Sequence, residues 1–197
     1  MWFLEPLGIL LTFPLYLSHV LFFLWLAFEF GRTEIHHLYL FGVIFALYES
    51  WVTKVLWAGY MDAAGPGLGT FFGMAIAEFS VLVFFWHPVM SFIVPVLVYE
   101  IISRKALPGH TGILKVSRKR KLVVVVCLLF LSTFIAHGNS FDPISANISV
   151  LGTLLLVGLA YKTSKGGDLR SLHIKRNHFK LVTAYLLILY TATFLLL

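Results

Sequence analysis

The chain has 197 residues, 59% apolar and 12% charged, with a mean hydropathy of +0.91 and a formal charge of +6. A soluble domain carries about 45–50% apolar and about 25% charged residues, so this chain lacks the polar surface to cover a water-facing globule. Soluble enzymes and disordered tails are excluded, as are disulfide scaffolds, since one cysteine, Cys127, allows no internal bridge.

The composition predicts an all-α, polytopic integral membrane bundle forming a single transmembrane domain over 1–197. A bilayer crossing needs about 20 apolar residues, and Pro6–Phe28 supplies the first. The preceding Met1-Trp2-Phe3-Leu4-Glu5 has no positive region, so this segment is expected as a retained span rather than a cleaved signal. The polar joint Glu29–His37 leads into a second span, Leu38–Tyr60, and a Gly-rich turn runs from Asp62 to Gly67. The apolar stretch Leu68–Ile102 follows; as one helix it would be about 52 Å long, more than one crossing needs. Trp86-His87-Pro88 is the expected break, because a residue before proline is pushed out of the helical region. Two spans result, Leu68–Trp86 and Pro88–Ile102. Further spans are Leu122–His137, Ala146–Tyr161 and Leu181–Leu197, giving seven, or six if the proline is only a kink or a re-entrant dip.

Charge sets orientation. Residues 1–103 hold two basic and seven acidic residues, and 104–197 hold thirteen basic and two acidic. The basic residues cluster in loops 103–121 and 162–180, while the joint Gly138–Ser145 has none. The positive-inside rule places both basic loops in the cytoplasm and the C-terminus on the opposite side. Their expected partners are the bilayer and its anionic lipid headgroups, not nucleic acid.

Ionisable side chains inside spans are costly and mark candidate sites. His19, Glu49 and Glu78 qualify. Counted from the turn between them, Glu49 and Glu78 fall about 18 Å and 16 Å along antiparallel helices, which predicts a carboxylate pair near the midplane, with His19 as a third member. Small residues at four-residue spacing, Gly65, Gly69, Gly73 and Ala77 on one helix and Gly42, Ala46 and Ser50 on the other, predict a close seam. Such seams also offer surfaces for homo- or hetero-oligomers. Lys54 is expected to snorkel past Trp57 and Tyr60, with substrate contact as its alternative role.

Other features carry less. His36 and His37 beside Glu34 lack zinc-ligand spacing, so no metal site is expected. His87, His137 and Asp142 are placed at outer span ends, and Glu100 is expected to pair with Arg104 at i+4. Asn147-Ile148-Ser149 matches a glycosylation pattern but lies at or inside a span. No Walker loop, Gly-x-Ser-x-Gly elbow or zinc-protease helix is present, and nothing names a cofactor. The leading expectation is a small transporter or permease coupled to protons or cations through Glu49 and Glu78. A membrane enzyme acting on a lipid or isoprenoid, and a non-catalytic subunit or assembly factor, are the alternatives.

Overall fold

The computed structural model describes residues 13–52, 69–115, 117–138 and 142–196. Lys54 and Gly65 lie outside them. Six long helices carry the described chain: α1 (Phe13–Glu29), α2 (Ile35–Val52), α3 (Ile76–Ser103), α5 (Arg118–Gly138), α6 (Pro143–Thr163) and α7 (Arg176–Leu196). A single turn, α4 (Thr111–Leu114), and a 3-10 turn at Leu169–Leu172 interrupt the loops. The fold is all-helical as expected, and four helical stretches, Ile35–Val52, Ile76–Ser103, Pro143–Thr163 and Leu169–Leu195, are long and apolar enough to cross a bilayer. The chain forms two compact units, residues 1–96 with 170–197, and residues 97–169.

Bilayer solvation explains surfaces that water would forbid. The 21-residue helix α6 has no buried residue and exposes Ile148, Leu151, Leu155, Leu156 and Leu159. Burying a leucine side chain is worth about 1.5–3 kcal/mol, so a helix that leaves so many uncovered is stable only where its surroundings are apolar.

The predicted break at Trp86-His87-Pro88 does not occur. Helix α3 runs through Pro88 by widening to π-helix over Leu82–Ile93. In an α-helix the proline ring would meet the carbonyl four residues back and leave it without its N–H partner. The wider π turn offers that carbonyl, on Phe84, the N–H five residues on instead, and it also accepts the Tyr39 hydroxyl of α2 at 2.8 Å. The separate spans Leu68–Trp86 and Pro88–Ile102 are thus one helix, and the six-helix alternative describes this part of the chain.

Helix α3 also begins later than the apolar run suggested. Phe71 and Met74 exchange backbone hydrogen bonds of 2.9 and 3.1 Å across a tight turn, with Gly73 at φ +75°. Gly69 and Gly73 therefore precede the helix and form no packing face with Ala77. The α2 half of the expected seam is present: Gly42, Ala46 and Ser50 are all buried. Its partner is Pro88, for a Cβ added at Gly42 would lie 2.4 Å from Pro88 Cα. This half of the seam is packed inside the chain.

Aromatic stacking joins α7 to α1 in the first unit. Phe179 stacks on Trp25 with ring centroids 3.8 Å apart, and on Phe22 at 5.2 Å. In the second unit α6 starts at Asp142, whose carboxylate accepts from the backbone N–H groups of Ile144 and Ser145 and from the Ser145 hydroxyl. Pro143 follows at the first helical position, where a missing N–H costs nothing. Asn147 donates its side-chain amide to Thr133 Oγ1 at 2.8 Å, so α5 and α6 share an interhelical polar contact.

Candidate functional site

The first unit contains a buried polar cluster made by four helices. Residues of α2 at i, i+3, i+7 and i+10 (Tyr39, Gly42, Ala46 and Glu49) share one face, because that spacing returns to the same side of a helix. Glu49 Oε2 lies 3.1 Å from His87 Nε2 of α3. His87 is 2% exposed and the Glu49 side chain 15%. The imidazole stacks against Tyr16 of α1 at 6.1 Å and meets the Phe45 ring at 4.6 Å.

His19 also packs on Phe45, fully buried, with their rings stacked at 4.1 Å. Its Nδ1 donates to the Leu15 carbonyl at 2.7 Å, since a carbonyl can only accept. In the neutral ring Nε2 is then the acceptor, and the Tyr190 hydroxyl of α7, 2.9 Å away, donates to it. Tyr48 closes the group edge-to-face with Tyr190 at 5.2 Å. The result is two polar pairs, Glu49 with His87 and His19 with Tyr190, whose imidazoles both contact Phe45, bordered by Tyr16 and Tyr48.

Sequence placement of the candidate residues meets this geometry unevenly. His19 and Glu49 are in the cluster. Glu78 is buried but lies in the first turn of α3, nine residues before His87 in the chain, because the helix starts at Ile76. The ion-pair partner of Glu49 is His87, a residue assigned from its proline neighbour to an outer span end. The structure corrects that assignment: the π-helical stretch carries His87 inward. Tyr16, Tyr48 and Tyr190 had no signal in local spacing, and Tyr190 lies 171 positions from His19.

Two further groupings differ from expectation. Glu100 does not pair with Arg104. Helix α3 ends at Ser103, and Arg104 takes a left-handed conformation at φ +58°, which removes it from i+4 spacing. Glu100 Oε1 instead accepts from His110 Nδ1 at 2.8 Å and from the Leu107 backbone N–H at 2.9 Å. At the start of α2, ligand atoms of Glu34, His36 and His37 all lie within 4.8 Å of one another, although their spacing had suggested no metal site. The Arg32 guanidinium stands 3.4 Å from His37 Nε2, so a positive charge already occupies the approach to this surface trio.

No solved structure matches the chain. A protein of Archaeoglobus fulgidus, described as an uncharacterized protein, is 44% identical over 95 residues. The match covers 48% of this chain and 29% of that protein, so the chain spans less than a third of its relative's length. A family model described as an uncharacterized membrane protein family matches residues 1–197. The apolar, lipid-exposed helices agree with that match over the whole chain: it belongs to this family and is an integral membrane protein.

Proposed function

We propose that the protein is a small proton- or cation-coupled membrane transporter, with Glu49 and His87 as the protonatable pair. The observation that supports this reading is the 3.1 Å contact between a carboxylate and an imidazole on two adjacent helices, α2 and α3. Such a pair carries a charge of −1, 0 or +1 as it holds zero, one or two protons. In a low-dielectric site the neutral state is the least costly, so a proton or a substrate cation that neutralises the pair biases one helix arrangement over another. Protonated His87 also gains attraction to the Tyr16 ring of α1. Glu78 is another carboxylate of α3 and His19 anchors Tyr190 beside the pair, while Lys54, outside the described residues, follows α2 in sequence. Loops 103–121 and 162–180 face the cytoplasm in this reading and meet anionic headgroups, supported by their Lys and Arg content.

The test uses proteoliposomes loaded with a pH-sensitive dye and given an outward proton gradient, then pulsed with Na⁺ or K⁺. Wild-type protein is expected to dissipate the gradient on addition of one of the cations. Glu49→Gln and His87→Gln should abolish that response. Wild-type flux retained by both variants overturns the assignment of the pair.

A further inference from the structure

The second unit holds a cleft lined by four cations and one carboxylate, Glu100, that pairs with none of them. It encloses about 610 Å³ and is lined by Arg104, Lys105, Thr111, Lys115, Lys121 and Tyr161, with Ile101, Leu154 and Val157 below. Among the described residues none of the four cations lies within ion-pair distance of a carboxylate. The acid on the wall, Glu100, is engaged by His110 and the Leu107 N–H. Those bonds organise the loop after α3 instead of neutralising the cleft. Arg104 is held in place: its guanidinium donates to the Tyr161 carbonyl at 3.1 Å and stacks over the Tyr161 ring at 5.0 Å.

The position narrows the ligand. Arg104 follows the end of α3, Lys121 opens the apolar run of α5, and Tyr161 closes that of α6. The cationic rim therefore lies where apolar helices give way to basic loops, and the wall beneath it is aliphatic. We propose that this cleft binds the phosphate group of a membrane amphiphile, with Lys115, Lys121, Arg104 and the Thr111 hydroxyl on the phosphate and the chain along Leu154 and Val157. The inference rests on, and sharpens, the proposed contact of loop 103–121 with anionic headgroups: it assigns the contact to particular residues. Arg118, Lys119 and Arg120, adjacent in sequence, do not line the cleft.

That difference supplies the test. Binding of fluorescently tailed phosphatidic acid to the full chain in neutral detergent micelles is measured for wild type, Lys115→Gln/Lys121→Gln and Arg118→Gln/Lys119→Gln/Arg120→Gln. All five positions are exposed, so the folded chain tolerates the changes. Each basic residue near a headgroup contributes about fivefold in affinity, so the cleft double variant should bind about 30-fold more weakly. The triple variant and wild type should bind alike, and phosphatidylcholine should bind to neither. Inorganic phosphate that competes at equal molarity assigns the cleft to the free ion, and competition only in large excess assigns it to the lipid; both outcomes keep the phosphate chemistry. An unchanged affinity in the double variant overturns the proposal. So does an equal loss in the triple variant, which leaves a diffuse headgroup contact standing without a cleft.

Discussion

Substituting Gly42 with alanine tests the central packing contact of the first unit. A Cβ there would sit 2.4 Å from Pro88 Cα and 3.0 Å from Pro88 Cβ, whereas carbon atoms rest at about 3.5–4.0 Å. The obstruction is backbone, so rotamer changes cannot relieve it, and α2 and α3 must separate by about 1 Å or more. A shift of that size would stretch the 2.8 Å bond from Tyr39 to the Phe84 carbonyl and the 3.1 Å contact of Glu49 with His87. Overpacking of this kind costs about 1–3 kcal/mol, which for a chain of this size lowers Tm by about 2–12 °C. The assay is thermal inactivation in detergent, followed as the fraction that stays monodisperse. Gly152→Ala in α6 is the control, because nothing lies within 4 Å of its added Cβ. Gly42→Ala that melts with Gly152→Ala and wild type would refute the close approach, and with it the geometry of the Glu49–His87 pair.

Other outcomes follow from the second unit. Glu100→Ala removes the acceptor for His110 and Leu107 N–H from a site where both side chains of the pair are fully buried, a change that costs about 3–5 kcal/mol; trypsin should then cut after Lys105 faster than in wild type, and unchanged cleavage would deny Glu100 its role in ordering the loop. The bonds from the Ser145 hydroxyl and from the Ser145 and Ile144 N–H groups hold the Asp142 carboxyl below its ordinary value of 3.8. A depressed carboxylate pKa contributes stability that is present above the unfolded-state value and is lost as pH falls through the folded-state value. The Tm advantage of wild type over Asp142→Asn should therefore shrink between about pH 5 and pH 3, and a difference constant with pH would remove the carboxylate from the cap.

Bilayer thickness made most of the helices legible, since apolar runs of crossing length have few other solutions. Proline misled for a physical reason. The rule that the residue before it leaves the helix assumes α geometry, and α3 escapes by widening its turn while Tyr39 satisfies the Phe84 carbonyl. His87 was misplaced along with it, and α3 starts eight positions later than the apolar run, so a depth counted toward Glu78 passes through a turn that is not helical. His19 and Glu49 stood out because an ionisable group in an apolar run is rare. Tyr190 and Tyr48 did not, because tyrosine is common in membrane helices and its partners here come from tertiary packing. Glu100 shows the same limit: an i+4 rule holds only while the backbone remains helical, and a single left-handed residue, Arg104, ends it.

The Tyr39–Phe84 bond constrains how this protein can move. Sliding α2 along α3 would break the 2.8 Å bond from the Tyr39 hydroxyl to the Phe84 carbonyl, in a medium with little water to replace it. The two helices are thereby keyed in register by the close fit of Gly42 on Pro88 and by the bond from the Tyr39 hydroxyl. Helices α1 and α7 meet differently, through stacked rings and the bond from the Tyr190 hydroxyl to His19, with His173 ahead of α7 lying 3.1 Å from Glu29 at the end of α1.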